Sequence, residues 1–167
     1  MNQVLLPPER RACYSSFKEH LRRRGFAVYP CEFDCGSTKH PLVDVAARMG
    51  SFYWAFEYKS ETDSIGRGVK QVECYSHWFD YVVLVLEHSL EHTRSDLYWD
   101  LKRVGAGLWQ YYPSSQKCFE RTNPGLQEPV ARNRRTVVRR FRAVRRKRAL
   151  LTDISLYRTP SLTDFSS

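Results

Sequence analysis

No stretch of this sequence combines the length and the apolarity of a membrane span, so no membrane partner is expected. The first residues, Met1 to Arg11, lack an apolar core of the kind a secretory signal needs, and none is expected. Cysteine is sparse: five residues, an odd number without framework spacing, argue against a disulfide scaffold and for reduced thiols in a cytoplasmic or nuclear (nucleoid) compartment. Cys31, Cys35 and His40 have no second Cys/His pair at zinc-finger distance, so buried strand cysteines are expected instead of a zinc site. His88 and His92 lack the glutamate directly after the first histidine that the H-E-x-x-H arrangement has, and they read as a solvated helix start. Acid is missing from one place above all. Residues 131–149 hold ten Arg or Lys and no Asp or Glu, so of the net +9 the remainder of the chain sums to 9 − 10 = −1. Basicity is therefore a local device, a polyanion-binding arm on a near-neutral domain.

What is present suffices for one domain plus an appendage, since 167 residues can bury a proper core. Pro7-Pro8-Glu9 opens a helix predicted to reach Arg24, with Gly25 as its C-cap and Ala12, Cys13, Phe17 and Leu21 as its buried stripe. Phe26–Phe33 is expected to be the first strand. Val43–Ala47 and Phe52–Lys59 are rich in β-branched and aromatic residues and are joined through Met49-Gly50-Ser51, which reads as a β-hairpin. A polar loop follows Lys59, with Asp63 or Ser64 as a helix cap, then a helix over Val69–Phe79. Tyr81–Leu86 reads as a strand buried on both faces. A helix to about Arg103 and a strand over Val104–Tyr112 complete a domain of residues 1–112. Residues 113–130 are expected to be linker, 131–150 a basic amphipathic helix and 151–167 a loose tail.

Alternation along the second hairpin strand puts Ala55, Glu57 and Lys59 on one face, with Trp54, Phe56 and Tyr58 on a face expected to be core. Asp44 on the partner strand can reach the side of Glu57 and Lys59. Two carboxylates beside a lysine suit Mg²⁺ or Mn²⁺, which take one or two protein carboxylates and complete their shells with water and phosphate. Such a cation generates a nucleophile from water, and an adjacent ammonium orients that water or stabilises charge at phosphorus.

Asp44, then Glu57-Tyr58-Lys59, resembles the PD-(D/E)xK motif of restriction-endonuclease-like nucleases. Gln71-Val72-Glu73-Cys74-Tyr75 is similar to the Q-x-x-x-Y helix of the RecB-like branch, and Holliday-junction-resolvase-like nucleases are close relatives of the pattern. The likeness covers about residues 9 to 87; Val43 stands where the family often has proline. It implies an α/β fold, an αβββαβ core with a central mixed sheet, to which this chain adds a basic C-terminal helix. It also implies a metal-dependent DNA nuclease of repair, recombination or mobile-element processing, with Asp44 and Glu57 as metal ligands and Lys59 and Gln71 as further catalytic residues. Gln71 and Tyr75 either hold the lysine or a phosphate, or are simply core. Glu9, Glu19, Glu32 and His40 are the candidates for an added acid or base. Arg134, Arg135, Arg139, Arg140, Arg142, Arg145 and Arg146 are expected to contact DNA, from a monomer or a homodimer. The competing expectation is a non-catalytic DNA-binding module on the same fold.

Overall fold

The computed structural model describes residues 8–35, 42–87 and 96–156. Its elements run α1 (Pro8–Arg23), β1 (Ala27–Val28), β2 (Val45–Met49), β3 (Phe52–Lys59), α2 (Ile65–Tyr75), β4 (Tyr81–Leu86), α3 (Asp96–Val104), β5 (Gly107–Tyr112), β6 (Lys117–Thr122) and α4 (Ala131–Leu156). The six strands form one mixed sheet in sequence order, with β3–β4 and β4–β5 parallel and the other neighbours antiparallel. The β2–β3 hairpin turns through Gly50 and Ser51, with Met49 paired to Phe52. Gly50 sits at φ 59, a conformation that glycine adopts without a Cβ penalty.

Both faces of the sheet are covered, which is why β4 reads as an unbroken apolar run. On one side α1 contributes Tyr14, Phe17 and Leu21 against Phe56, Tyr58, Val83, Val85, Trp109 and Tyr111. On the other, Val72 and Tyr75 of α2, Leu97 and Leu101 of α3 and Val137 of α4 close over Ala55, Val82, Leu84, Leu86 and Leu108. Phe56 and Tyr58 are buried as expected, whereas Trp54 is half-buried near the start of β3, stacked on Tyr81 at 4.3 Å.

Several boundaries differ from the sequence reading. β1 is only Ala27–Val28, because Pro30 donates no N–H; pairing resumes as an isolated bridge between Phe33 and Val43. α2 starts at Ile65, earlier than Val69, because Ser64 caps it, and it ends at Tyr75 instead of Phe79. β5 starts at Gly107, since α3 continues to Val104. The stretch expected to be linker contains β6, a strand that pairs with β5 through residues such as Tyr111↔Cys118. Its sequence, Lys-Cys-Phe-Glu-Arg-Thr, has little alternation because it is an exposed edge and buries neither face well. α4 runs past 150 to Leu156, and its N-terminal half is docked on the domain.

Candidate functional site

The register of the hairpin builds the site. Val45 pairs with Phe56, so Asp44 lies one step beyond the ladder, opposite Glu57 and on the same face. The backbone N–H of Tyr58 donates to Asp44 Oδ2 at 2.9 Å, which fixes the aspartate across the strand end. No described residue hydrogen-bonds its other oxygen. Lys59 pairs with Leu86 at the carboxyl end of the parallel β3–β4 pair, the end at which open α/β sheets form ligand crevices. A cleft of about 350 Å³ opens there, lined by Glu32, Asp44, Glu57, Lys59, Arg67 and Gln71 among others.

Lys59 reaches this cleft from beneath α2. Its side chain is 9% exposed and runs under Gly68, where an added Cβ would lie 2.9 Å from Lys59 Cε and 2.8 Å from Leu84 Cδ1. Glycine at 68 is thus required for the helix to sit this close to the lysine stem. Nζ donates to Glu57 Oε1 at 2.5 Å and to Gln71 Oε1 at 2.9 Å. An ammonium has three N–H donors, so one remains for the cleft. Tyr75 places its hydroxyl 2.6 Å from Glu57 Oε2 and 2.8 Å from the Leu42 carbonyl. Glu57 is therefore held through both oxygens, each of which keeps a lone pair for another partner.

The two carboxylates share a poorly solvated environment. Burial, and then the neighbouring Glu57 charge, push Asp44 up to about 8, against the Tyr58 N–H and Lys59. Burial also raises Glu57, against Lys59, Tyr75 and Arg67. Tyr75 is raised well above an ordinary phenol by burial and by Glu57, so it serves as a proton-bearing donor. One lysine does not supply enough positive charge for this pair, and a hard divalent cation would. Oxygen donors at a partly open cleft fit Mg²⁺ or Mn²⁺. Among the described residues no group of three or more His, Cys, Asp or Glu forms a metal cluster. Two carboxylates with water and phosphate is the donor set that fits.

Glu32 lines the same cleft and its charge acts on Asp44. Glu19 does not approach it; it is exposed and pairs with Arg22 at 3.3 Å. The side chain of Glu9, and His40 altogether, lie outside the described residues. Cys35 is buried, its thiol pushed up to about 12 by burial, while Cys31 is exposed. Sequence reasoning missed Arg67, whose charge acts on Glu57 from the first turn of α2. The signal was there: Arg67, Gln71 and Tyr75 recur every four residues along one helix face. It also left open what Tyr75 holds, and that partner is Glu57, not the lysine.

Solved structures resemble this chain, two of them over most of their own length. SPO1766, a protein of unknown function from Silicibacter pomeroyi, is 21% identical over 97% of this chain and 100% of its own, with a TM-score of 0.57. An XisH family protein from Nostoc punctiforme PCC 73102 is 13% identical over 65% of this chain and 97% of its own, with a TM-score of 0.50. The architecture is mixed α/β around a six-stranded central sheet, consistent with a restriction-endonuclease-like α/β core. No protein-family model and no curated protein matches the chain. Among the described residues no helix is long and apolar enough to cross a membrane.

The seven α4 arginines expected to contact DNA fall into two groups. Arg134 is tied into the fold: its Nε donates to Asp80 Oδ1 at 2.7 Å, and Asp80 is buried beside the Tyr53 N–H that it accepts. Arg140 donates to the Asp34 carbonyl and lies 5.3 Å from the centre of the Phe33 ring. Arg135, Arg139, Arg142, Arg145 and Arg146 are exposed.

Proposed function

We propose that this chain is a divalent-metal-dependent deoxyribonuclease that hydrolyses phosphodiester bonds, with Mg²⁺ or Mn²⁺ as cofactor. The observation that carries the reading is the convergence of Asp44, Glu57 and Lys59 at the carboxyl end of β3, with Lys59 bridged between Glu57 and Gln71. When bound, the cation supplies Lewis acidity at phosphorus and lowers the pKa of a water. Asp44 and Glu57 would hold it. Tyr75 and the Tyr58 N–H keep those two carboxylates in place, so little reorganisation is needed on binding. The remaining Lys59 N–H orients the attacking water or offsets charge on a non-bridging oxygen, with Gln71 keeping the ammonium aimed. Arg67 at the cleft wall offsets charge on the DNA phosphate. Water oxygen bonds to phosphorus, the bond to the 3′ oxygen breaks, and the ends are a 5′-phosphate and a 3′-hydroxyl. Exposed arginines of α4 add phosphate contacts. The settings that suit such an activity are DNA repair, recombination or mobile-element processing.

A second reading, a DNA-binding module whose ion cluster is structural, draws on one observation: Glu57 already has both oxygens engaged. Incubating the purified chain with labelled plasmid and oligonucleotides, with and without Mg²⁺ or Mn²⁺, separates the two. Metal-dependent cleavage supports the enzyme; retarded mobility without cleavage under every condition supports the module.

A further inference from the structure

α4 does more than carry charge. Its docked side contributes Val137, fully buried, and Phe141, whose ring lies 5.1 Å from both Tyr29 and Tyr53. Asn133 donates to the His77 carbonyl at 3.1 Å and Arg134 holds Asp80, so the first turns are fixed to the domain. Between this helix and the β2–β3 turn runs a groove of about 530 Å³. Arg48 enters it from β2, its Nη1 held by the Gly50 carbonyl at 3.0 Å, while Arg142, Arg145 and Arg148 enter it from α4. Those three helix residues recur every third position, a row that rises about 4.5 Å per step along the axis. Among the described residues no acidic side chain lines the groove.

We infer that this groove seats the phosphate backbone of a nucleic acid, at a site separate from the catalytic cleft. The guanidiniums of Arg48, Arg142 and Arg145, from two elements, converge on one concavity, and their mutual repulsion is relieved by a polyanion that passes between the walls. The docked helix presents them in fixed places, and arginine matches phosphate through paired N–H donors. A bilayer is the poorer occupant. A membrane-surface helix needs its apolar side free, and here Val137 and Phe141 are spent on the domain. The groove lies at the turn end of the hairpin and Glu57 and Lys59 at the other, about 20 Å away along β3. The inference deepens the proposed function and rests on it for the choice of DNA as the polyanion.

The test is equilibrium binding of a fluorescein-labelled 20-base-pair duplex to the full chain in EDTA, over a series of KCl concentrations. Replacing both Arg48→Gln and Arg145→Gln removes two phosphate contacts, so the slope of log affinity against log salt becomes shallower by about 2, and the single variant R145Q by about 1. R22Q, which alters a cation on α1 outside the groove, leaves the slope unchanged. Thermal melting establishes that each variant is folded; R145Q, altered only at an exposed helix position, carries the test if the double variant is not. A folded R145Q that keeps the wild-type slope overturns the inference. So does a chain that ignores the duplex but loses binding to phosphatidylserine vesicles on the same substitution. Metal-dependent cleavage without a groove effect would refute the groove and leave the nuclease standing; a groove effect without cleavage would do the reverse.

Discussion

The cleft and the arginine groove sit at opposite ends of one hairpin and handle charge in opposite ways. In the cleft, acids and a lysine are packed under α2, and burial raises both carboxylates above their ordinary range. Along the groove, exposed arginines stand on a helix whose apolar side does the docking. Burial makes each cleft group expensive to ionise and sensitive to its neighbours, which suits chemistry. Exposure leaves the α4 cations of the groove solvated and sensitive to salt, which suits grip. Substitutions in the cleft should therefore change rate and pH response, and those along α4 should change affinity and, at its docked positions, stability.

The largest effect expected on rate short of losing a ligand is at Lys59. Lys59→Met keeps the buried stem beneath Gly68 and removes the ammonium, so the chemical step should slow by about a hundredfold, roughly 3 kcal/mol of transition-state stabilisation. Single-turnover kinetics at saturating DNA and metal measure it. A rate within threefold of wild type would mean that Lys59 serves only to neutralise Glu57.

On the α4 side, Arg134→Ala should cost roughly 1–3 kcal/mol in urea melts. The buried Asp80 carboxylate loses its ion pair but keeps the Tyr53 N–H, and the partly exposed arginine limits the loss. Truncation after Pro129 should lower stability further, because it uncovers Phe33 and Tyr53 where Phe141 now packs. The arm is part of the fold, so point substitutions separate grip from stability better than deletion does. An Arg134→Ala melt that matches wild type would contradict this docking.

The pH dependence is a smaller effect with a definite sign. Asp44 folds with its pKa raised from the ordinary carboxylate range, near 4, to about 8. Between those values the native state binds more protons than the unfolded chain. Asp44's contribution to the stability of the metal-free protein is therefore fully present below about pH 4, falls as pH rises and levels off above about pH 8. Mg²⁺, which prefers the ionised carboxylates, should raise the melting temperature more at pH 8.5 than at pH 5. Calorimetric melts across that range check both statements; a metal effect independent of pH would sever the cation from this acid pair.

Much of this was legible in the sequence, for identifiable reasons. The hairpin announced itself because strand composition flanked a glycine turn, and period-two alternation then placed Glu57 with Lys59. The αβββαβ order followed from long apolar or periodic segments. What escaped was set by tertiary context. β6 exposes most of its side chains and carries no strand pattern, so its existence depends on the edge of β5. The short β1 and the bridge from Phe33 to Val43 follow from pairing, which composition does not encode. The charge run over 131–149 was plain, yet which arginines are tied down depends on Asp80 and on the Asp34 carbonyl, far away in the chain. Gly68 fell within the polar loop expected after Lys59, and it lies in α2 as clearance for the lysine stem.

The central claim is that Asp44 is a desolvated metal ligand kept at a cost to the metal-free fold, and Asp44→Asn tests it most directly. Asparagine can still accept the Tyr58 N–H, so the hairpin should be intact. Cleavage rate with saturating Mg²⁺ and metal-free melting at pH 8.5 are measured on one preparation. The account predicts cleavage reduced to background together with a higher melting temperature than wild type, because a half-buried, poorly solvated charge has been removed and no hydrogen bond lost. Wild-type cleavage by Asp44→Asn, or a lower melting temperature, would contradict it.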